Sequence, residues 1–449
     1  MGKLFGTDGI RGKANQYPIN VETAVKIGQS VARYFRSKTD KTSVIIGKDS
    51  RLSGDMLAHA VMAGICSMGM DAIYTGTLPT PGIAVLTRDS GAAAGIMVSA
   101  SHNPYFDNGI KVFDETGFKL PQVVENEIET LILNDEYRLV RTSDRDIGRV
   151  VICHDAEEQY ISFLRRTLAP GFSLKGLKII LDCANGATFK AGPDLFRELG
   201  AVVSPLFIEP DGLNINDHCG SQHPETMIQA VLAQKADLGL AFDGDGDRLI
   251  AVDEKGHRIS GDQILAICGN TMKKQGKLEN GLIVSTVMSN LGLRMALNQM
   301  GINLIMTDVG DRNVLQQMRK RNSMLGGEDS GHMIFLHHHV TGDGILTALK
   351  LIEAMQFEHK PLSELAAIMK VFPQVLVNVP VKNQMDLNED GDIRKAILRA
   401  EEKLGNRGRV LVRFSGTRPL CRIMVEGPTE IETHSLAHEI AEVVAAKLG

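Results

Sequence analysis

The stretch AGIMVSASHNP, residues 94–104, joins an apolar run to a loop of polar residues. The run Ala94–Val98 predicts a buried strand, because a short apolar run that ends in turn residues is typical of an α/β sheet. Ser101 follows in the loop with His102 beside it, and Lys111 comes soon after. A serine hydroxyl in this setting predicts a nucleophile that accepts and donates a phosphoryl group, with the lysine holding a proton or a phosphate oxygen. On its own, the stretch also fits an ordinary turn with capping side chains.

Two later stretches follow the same plan of a strand that ends in a polar loop. Leu238–Phe242 predicts a strand leading into the loop Asp243–Arg248, and Ser323–Leu325 leads into the loop Gly326–His332. Earlier strands of the same three segments are predicted at Val44–Gly47, Leu177–Asp182 and Leu282–Val287, and a helix at Asp55–Met70. We interpret this pattern as a diverged structural repeat. Because open α/β sheets bind ligands at strand ends, the polar loops are the predicted functional loops.

The end of the chain has a different pattern. It predicts a strand at Gln374–Val381, a helix at Asp392–Leu404, strands at Arg409–Phe414 and Cys421–Val425 joined by a turn, and a helix at Thr433–Leu448. At about 150 residues per domain, the 449 residues have room for roughly three domains. The different pattern at the end of the chain indicates a fourth, smaller domain. We predict an α/β protein with three similar mixed-sheet domains at 1–150, 151–255 and 256–369, and a distinct α+β domain at 370–449.

Composition narrows the classes of partner and compartment. A formal net charge of −5 without a basic stripe argues against nucleic acid and acidic membrane surfaces as partners. The six cysteines are scattered without a C-x-x-C pair, which argues against a zinc site and a disulfide framework and favours a reducing compartment. No secretory signal or membrane-spanning run is visible, so we expect a cytoplasmic protein with a small-molecule substrate. The sequence leaves open whether the protein forms a homodimer.

The loop DGDGDR carries carboxylates on alternate residues, Asp243, Asp245 and Asp247. These three and Glu254 match the first, third, fifth and twelfth positions of a calcium-binding EF-hand loop, but Arg248 occupies the position where that loop needs glycine. The flanking residues are also strand-like rather than helical. Because three close carboxylates repel one another without a cation, we predict Mg²⁺, which uses few protein carboxylates and completes its shell with phosphate oxygens or water.

Two further segments predict phosphate binding. Arg413–Pro419 supplies a guanidinium, hydroxyls and turn amides, with Arg422 close behind, which is the composition of an anion nest, although a hairpin turn fits too. Near the N-terminus, Phe5–Gly12 has glycines that permit close backbone approach, and Arg11 is a candidate phosphate ligand. The tract His337–His339 is predicted to be a solvated loop rather than a metal site.

The chain resembles the α-D-phosphohexomutase superfamily and, within it, the bacterial members that act on glucosamine phosphates. The resemblance spans essentially the whole chain and is carried by FGTDGIRG (5–12), SASHNP (99–104), DNGIK (107–111), DGDGDR (243–248), GGEDSGH (326–332) and RFSGTRP (413–419), with PDGLNIN (210–216) and VGDR (309–312) in support. It implies four α/β domains around one central cleft, the first three sharing a topology and the fourth distinct.

The resemblance also implies a reaction and a set of site residues. The reaction interconverts glucosamine 6-phosphate and glucosamine 1-phosphate through a phosphoserine and glucosamine 1,6-bisphosphate, toward UDP-N-acetylglucosamine and cell-wall precursors. The implied metal site holds one Mg²⁺ per subunit between Ser101, Asp243, Asp245 and Asp247. The implied catalytic residues are Ser101, His102, Lys111, Arg11 and Arg248. The implied substrate-binding residues are Glu328, Ser330, His332, Arg413, Ser415, Gly416, Thr417 and Arg422.

The chain departs from the family pattern at the sugar and phosphate loops. Asp329 stands where related enzymes usually have glutamine, and Phe414 and Arg418 stand where they have proline and glutamate. The Asp329 carboxylate would either pair with an amino-sugar ammonium or change the preferred sugar, so a mutase for mannose or glucose phosphates is the alternative. A phosphosugar-binding protein without turnover has no need of a nucleophile and is disfavoured. Either Lys111 or His102 is the candidate for proton transfer.

Overall fold

The computed structural model describes residues 4–134, 142–382, 387, 390–414 and 419–449. It divides the chain into two units, one formed by Met1–Val287 with Asn303–Ala366 and the other by Met288–Ile302 with Ala367–Gly449. The first unit contains three mixed sheets, and the second contains an antiparallel sheet. No helix of the described residues is both long and apolar enough to cross a membrane.

The first sheet has strand order β1-β5-β4-β2-β3-β6. Strands β2, β3, β4 and β6 are parallel, whereas β5 and β1 pair in antiparallel fashion at one side. Its elements are β1 (Ile10–Lys13), α1 (Val21–Arg36), β2 (Ser43–Lys48), α2 (Ser53–Ser67), β3 (Asp71–Thr77), α3 (Thr80–Asp89), β4 (Ala94–Val98), β5 (Asp107–Asp114), α4 (Gln122–Leu133) and β6 (Val150–Ile152).

The second and third sheets have orders β11-β10-β9-β7-β8 and β13-β12-β14-β15. The second is built from α5 (Ala156–Arg166), β7 (Lys178–Asp182), α6 (Ala191–Glu198), β8 (Val202–Leu206), α7 (Glu225–Gln234), β9 (Leu238–Phe242), β10 (Leu249–Asp253) and β11 (Arg258–Ile259). The third is built from α8 (Gly261–Lys274), β12 (Leu282–Thr286), β13 (Asn303–Thr307), α10 (Asp311–Arg321), β14 (Leu325–Gly327), β15 (Met333–Phe335), α11 (Gly344–Glu358) and α12 (Leu362–Ala366), while α9 (Leu291–Gln299) falls in the second unit.

The three sheets share a core of four strands, which confirms the predicted repeat. In each core a first strand (β2, β7 or β12) lies between a parallel second strand and a parallel third strand. The chain then turns back from the third strand into an antiparallel neighbour, β5, β10 or β15. The loops at these three turns are those with Ser101, with Asp243–Asp247 and with Glu328–His332. Each predicted functional loop therefore occupies the equivalent place in its sheet.

Close backbone packing fixes the helices of the first sheet. A Cβ atom on Gly28 of α1 would lie 2.2 Å from the carbonyl oxygen of Val61 in α2, and one on Gly64 of α2 would lie 2.3 Å from that of Val25. The two helix backbones therefore touch, which only glycine permits at this distance. Helix α2 ends at Ser67, earlier than the predicted Met70, because Gly69 adopts a left-handed φ of +79° that terminates the helix.

The second unit is a three-stranded antiparallel sheet with helices. Its elements are β16 (Gln374–Pro380), α13 (Gly391–Leu404), β17 (Arg409–Phe414), β18 (Leu420–Glu426) and α14 (Glu430–Leu448), with sheet order β16-β18-β17. Helix α14 begins before the predicted Thr433, because the Thr429 hydroxyl caps it by accepting a hydrogen bond from the Glu432 amide. The predicted turn at Ser415–Thr417 lies outside the described residues. The predicted domain borders remain predictions.

Candidate active site

Ser101 lies in the turn between β4 and β5 and contacts the acidic loop of the second sheet. Its side chain is buried, and its backbone has a left-handed φ of +54°. The Ser101 Oγ donates a hydrogen bond to Asp243 Oδ2 at 2.6 Å and lies 3.3 Å from His102 Nδ1. The serine loop and the acidic loop, which lie far apart in the sequence and were predicted to work together, are therefore in direct contact.

A buried network holds the Ser101 backbone in this conformation. The Ser99 Oγ accepts a hydrogen bond from the Ser101 amide at 2.9 Å and donates one to Asp49 Oδ2 at 2.5 Å. Arg51 pairs with Asp49 and donates to the Ser101 carbonyl at 3.0 Å. Asn216, from the second domain, donates to the same carbonyl at 2.9 Å. Because left-handed φ values are unfavourable outside glycine, these contacts offset a local strain at the nucleophile.

We expect Arg51→Met to lower the apparent free energy of unfolding by about 3–5 kcal/mol, because it leaves the Asp49 carboxylate buried without its cation. Both side chains of the pair have 0% exposure. Urea denaturation measures the effect. Arg197→Met is the matched control, since Arg197 and Asp194 are about half exposed and such a pair contributes about 0–1 kcal/mol. Equal losses in the two variants would contradict the expectation.

The acidic loop gathers its three carboxylates into one buried cluster. Ligand atoms of Asp243, Asp245 and Asp247 all lie within 4.8 Å of one another, and within the described part of the chain they form the only such group of three. The Oδ1 atoms of Asp245 and Asp247 are buried and have no hydrogen-bond partner among the described residues. Burial and the neighbouring carboxylates raise the pKa of Asp243 well above its usual range. These features fit a divalent cation, which would satisfy the free oxygens and offset the repulsion.

The glycines of the acidic loop make room for its neighbours. A Cβ atom on Gly244 would lie 2.7 Å from the Ser101 carbonyl oxygen, and Gly246 has a left-handed φ of +73°. The alternation of aspartate and glycine is therefore a steric requirement, because it lets this loop approach the serine loop closely.

Lys111 carries a positive charge into the carboxylate cluster. Its side chain is 1% exposed, and Nζ lies 2.7 Å from Asp245 Oδ2, 3.2 Å from Asp8 Oδ2 and 3.7 Å from Asp247 Oδ2. Burial acts to lower the pKa of Lys111, but these carboxylates outweigh it and raise the pKa above its usual value. Lys111 is therefore protonated in this state of the site.

Two arginines flank the serine loop. Arg11 donates from Nη1 to the Ala100 carbonyl at 3.2 Å and pairs with Asp8. The backbone of Arg248 forms an antiparallel bridge with His332, which joins the acidic loop to the loop of the third sheet. Burial opposes the charge of Arg248, yet Asp247 and Asp243 raise its pKa. Guanidinium groups bind phosphate oxygens well, so Arg11 and Arg248 are candidate phosphate ligands beside the serine loop.

His102 differs from Lys111 in its charge. Burial, with the nearby charges of Arg248 and Arg11, lowers the pKa of His102 to about 3. The imidazole is therefore neutral near pH 7, with a ring nitrogen free of a proton, whereas Lys111 is protonated. The sequence left these two candidates for proton transfer undistinguished.

The loop of the third sheet brings its predicted residues to the same place. His332 is nearly buried, and its Nε2 lies 3.9 Å from Asp247 Oδ2. The Glu328 side chain is half-buried and accepts a hydrogen bond from the Gly310 amide at 3.0 Å. Ser330 is exposed and lines a cavity of about 340 Å³ that Arg248 also lines. All three loops of the repeat therefore meet around the carboxylate cluster.

The predicted phosphate residues of the last domain are described only in part. Arg413 and Arg422 are both half-buried and lie directly opposite each other on β17 and β18. Directly opposed residues of an antiparallel pair lie on the same face of the sheet, so the two side chains share one face. Ser415, Gly416, Thr417 and Arg418 lie outside the described residues.

Several residues of the site carry no local signal that singles them out, and one histidine is not in solvent as predicted. The missed residues are Asp8, Asp49, Arg51, Lys119 and Asp311, of which Asp49 and Arg51 follow β2 where the first functional loop follows β4. The prediction of a solvated histidine tract is wrong for His339, which is buried with Nε2 3.0 Å from the Pro81 carbonyl oxygen. Burial lowers the pKa of His339 to about 3.

Comparisons with known proteins agree with this architecture. Models of the phosphoglucomutase/phosphomannomutase family match residues 2–139 (α/β/α domain I), 158–256 (domain II), 260–372 (domain III) and 376–443 (the C-terminal domain). The phosphoglucosamine mutase of Syntrophus aciditrophicus is 55% identical over 449 residues, covering 100% of both chains.

Two solved structures share the fold. A phosphoglucomutase/phosphomannomutase family protein from Burkholderia thailandensis has a TM-score of 0.80 at 23% identity, covering 99% of this chain and 97% of its own. The N-acetylphosphoglucosamine mutase of Aspergillus fumigatus, in complex with GlcNAc-6P and magnesium, has a TM-score of 0.67 at 17% identity, covering 99% and 95%. With this full-length identity to a relative and matches to all four domain models, the chain belongs to the phosphoglucosamine mutase family of the α-D-phosphohexomutase superfamily.

Proposed function

We propose that this protein interconverts glucosamine 6-phosphate and glucosamine 1-phosphate, with Ser101 carrying the phosphoryl group. The observation that supports this most directly is the contact of Ser101 Oγ with Asp243 at 2.6 Å, inside the cluster of carboxylates. A serine hydroxyl beside a cation site is the arrangement that phosphoryl transfer requires. Family membership favours the amino sugar as the substrate.

The first half-reaction transfers the phosphoryl group from Ser101 to the sugar. The free C1 hydroxyl oxygen of glucosamine 6-phosphate attacks the phosphorus, and the bond from phosphorus to Ser101 Oγ breaks. His102, which is neutral, is the proposed acceptor of the hydroxyl proton, since the positive charge of Lys111 prevents it from acting as a base. Lys111 and Arg248 hold the phosphoryl oxygens. The product of this step is glucosamine 1,6-bisphosphate.

The second half-reaction returns the other phosphoryl group to the serine. The bisphosphate turns over in the site, Ser101 Oγ attacks the phosphorus at C6, and the proton goes back to the C6 oxygen. The product is glucosamine 1-phosphate, and Ser101 is again phosphorylated. The bisphosphate is therefore both the intermediate and the activator that primes an unphosphorylated enzyme.

The proposed metal is one Mg²⁺ per subunit, held by Asp243, Asp245 and Asp247 with an oxygen of phosphorylated Ser101. When bound, it would neutralise charge on the transferring phosphoryl group. The unpartnered carboxylate oxygens of Asp245 and Asp247 support this ligand set. They are oxygen donors, which Mg²⁺ prefers.

The substrate is proposed to contact two further groups of residues. Glu328, Ser330 and His332 bind sugar hydroxyls. The distal phosphate is assigned to the set Arg413, Ser415, Gly416, Thr417 and Arg422, supported by the opposed arginines on β17 and β18. Such a distal site accepts a phosphate from either end of the sugar, which the turn of the bisphosphate needs.

Asp329 is the proposed determinant of the amino sugar, since its half-buried carboxylate lies next to Glu328 in the sugar loop. We expect Asp329→Gln to lower the ratio of kcat/KM for glucosamine 6-phosphate over glucose 6-phosphate by about fivefold, the effect of losing about 1 kcal/mol from a partly exposed ion pair. Coupled assays on both sugars measure the ratio. Asp329→Glu, which keeps the charge, is the control. An unchanged ratio in Asp329→Gln would remove Asp329 from sugar selection.

The experiment that tests the proposed function is ³¹P NMR of the purified protein with Mg²⁺ and a trace of sugar 1,6-bisphosphate. Glucosamine, glucose and mannose 6-phosphates are supplied separately. We expect the 1-phosphate signal to grow fastest from glucosamine 6-phosphate. Faster conversion of glucose or mannose phosphate would favour the alternative substrate, and no conversion of any would overturn the mutase assignment.

A cytoplasmic location is also proposed. It is supported by the cysteines, all six of which lie in the described ranges and are free thiols. The homodimer stays a prediction, which light scattering of the purified protein would test.

A further inference from the structure

Lys119 joins two carboxylates that come from different domains. It lies between β5 and α4, its side chain is 11% exposed, and Nζ lies 2.5 Å from Asp8 Oδ1. The same ammonium pairs with Asp311, at the start of α10 in the third domain. Burial acts to lower the pKa of Lys119, but Asp311 and Asp8 outweigh it and raise the pKa, so the lysine is a permanent cation.

Each of these carboxylates also contacts a group of the catalytic centre. Asp8 Oδ2 lies 3.2 Å from Lys111 Nζ, and Asp8 pairs with Arg11 as well. Asp311 Oδ2 lies 3.8 Å from His332 Nε2. Charges of alternating sign therefore run from Asp311 through Lys119, Asp8 and Lys111 to Asp245.

Because Lys119 lies between Asp8 and Asp311, it determines how strongly each of these carboxylates attracts its other neighbours. Without it, the Asp8 and Asp311 carboxylates would lack the cation between them in a buried region. Asp8 would then attract Lys111 more strongly, in competition with Asp245. Asp311 would attract His332 more strongly, in competition with Asp247. Both shifts would move the Lys111 ammonium and the His332 ring away from the acidic loop.

We propose that Lys119 is a positioning residue for phosphoryl transfer. Its ammonium fixes the positions of the Asp8 and Asp311 carboxylates, and these carboxylates in turn position Lys111 and His332 beside the acidic loop. It contacts no reacting atom itself. This inference rests on the proposed function, because it assigns Lys119 a part in that same site.

The test compares Lys119→Met with Arg312→Met in the full-length enzyme. Arg312 is the matched control: it pairs with Glu125 Oε1 at 2.5 Å and with Gln122 at 3.0 Å, so it joins the same two domains without touching the catalytic centre. We expect Lys119→Met to lower kcat about 100-fold with KM changed far less, because misplacement of catalytic groups by about 1 Å has effects of this size. Arg312→Met is expected to lower the melting temperature with kcat within about threefold of wild type, because it breaks a structural ion pair that touches no catalytic group.

A second substitution that restores the charge balance distinguishes a positioning role of Lys119 from a general destabilisation of the fold. In the double variant Lys119→Met/Asp311→Asn the unpaired carboxylate beside His332 is gone, and we expect kcat to recover at least about tenfold, a coupling of about 1.4 kcal/mol. Lys119→Arg, which keeps the charge, is expected to retain more activity than Lys119→Met. Equal kcat losses in Lys119→Met and Arg312→Met, or no recovery in the double variant, would overturn the proposal.

If Lys119→Met does not fold, Asp311→Asn alone replaces it. That variant keeps the ion pair of Lys119 with Asp8 and is expected to lower kcat about tenfold, as loss of an outer partner of a site does; unchanged kcat would overturn the proposal. Wild-type enzyme is assayed beside every variant. An inactive wild type would overturn the proposed function, whereas an active wild type with unaffected variants would overturn only the role of Lys119.

Discussion

Ser101→Ala is expected to lower kcat by about 10⁴-fold or more, the scale on which loss of a covalent nucleophile acts. The physical reason is that the variant has no oxygen to hold the phosphoryl group between the two half-reactions. The backbone network around this residue uses its amide and carbonyl groups, which alanine keeps. We therefore expect little change in thermal stability. The coupled assay with glucosamine 6-phosphate and bisphosphate measures kcat.

Two further measurements distinguish loss of the nucleophile from damage to the fold. Intact mass spectrometry should find a stable phosphate on wild-type protein and none on the Ser101→Ala variant. Ser435→Ala, an exposed serine on α14, is the control and should retain full activity and the phosphate. Near-normal turnover in Ser101→Ala would exclude the phosphoserine mechanism, whatever mass spectrometry shows for that variant.

Asp245→Asn is expected to raise the Mg²⁺ concentration for half-maximal activity about 10–100-fold and to lower kcat about 10²–10³-fold. The substitution removes a charge from the carboxylate cluster, and it weakens the hydrogen bond that Lys111 makes to Asp245 at 2.7 Å. Positioning of the metal and of the lysine is thus lost together. Titration of Mg²⁺ into chelator-treated enzyme measures both quantities.

The control for Asp245→Asn is Asp237→Asn. Asp237 lies just before β9, at the opposite end of that strand from the acidic loop, where its carboxylate accepts a hydrogen bond from the Lys178 amide at 2.7 Å. This control should keep the wild-type response to Mg²⁺. A metal requirement that is the same in Asp245→Asn and wild type would remove the acidic loop from the proposed metal site.

The sequence predicted the features that depend on neighbouring residues. The strands Ala94–Val98, Leu238–Phe242 and Arg409–Phe414 have the predicted bounds. A run of apolar or β-branched residues is typical of a strand, and the run lies within the strand that it predicts. The acidic loop was also predictable, since like charges on alternate residues need a cation and the glycines between them need space. The repeat followed from the same local patterns.

Contacts between distant residues could not be predicted in this way. Lys119 and Asp311 are 192 positions apart, and His339 and Pro81 are 258 apart. No local pattern records such a pairing, because it depends on how one domain packs on another. For that reason His339 was expected in solvent, and Lys119 was not identified as a residue of the site.

The sequence by itself determined which loops carry chemistry: a serine, a set of carboxylates and a third polar loop, each after the equivalent strand of a repeat. Only the tertiary structure decided how the pKa of each group departs from its ordinary value. His102 is neutral because burial and the charges of Arg248 and Arg11 lower its pKa, whereas Lys111 stays protonated despite burial because Asp245, Asp8 and Asp247 raise its pKa. Electrostatic energy depends on distance in space and on access to water, and neither quantity is written in the order of residues along the chain.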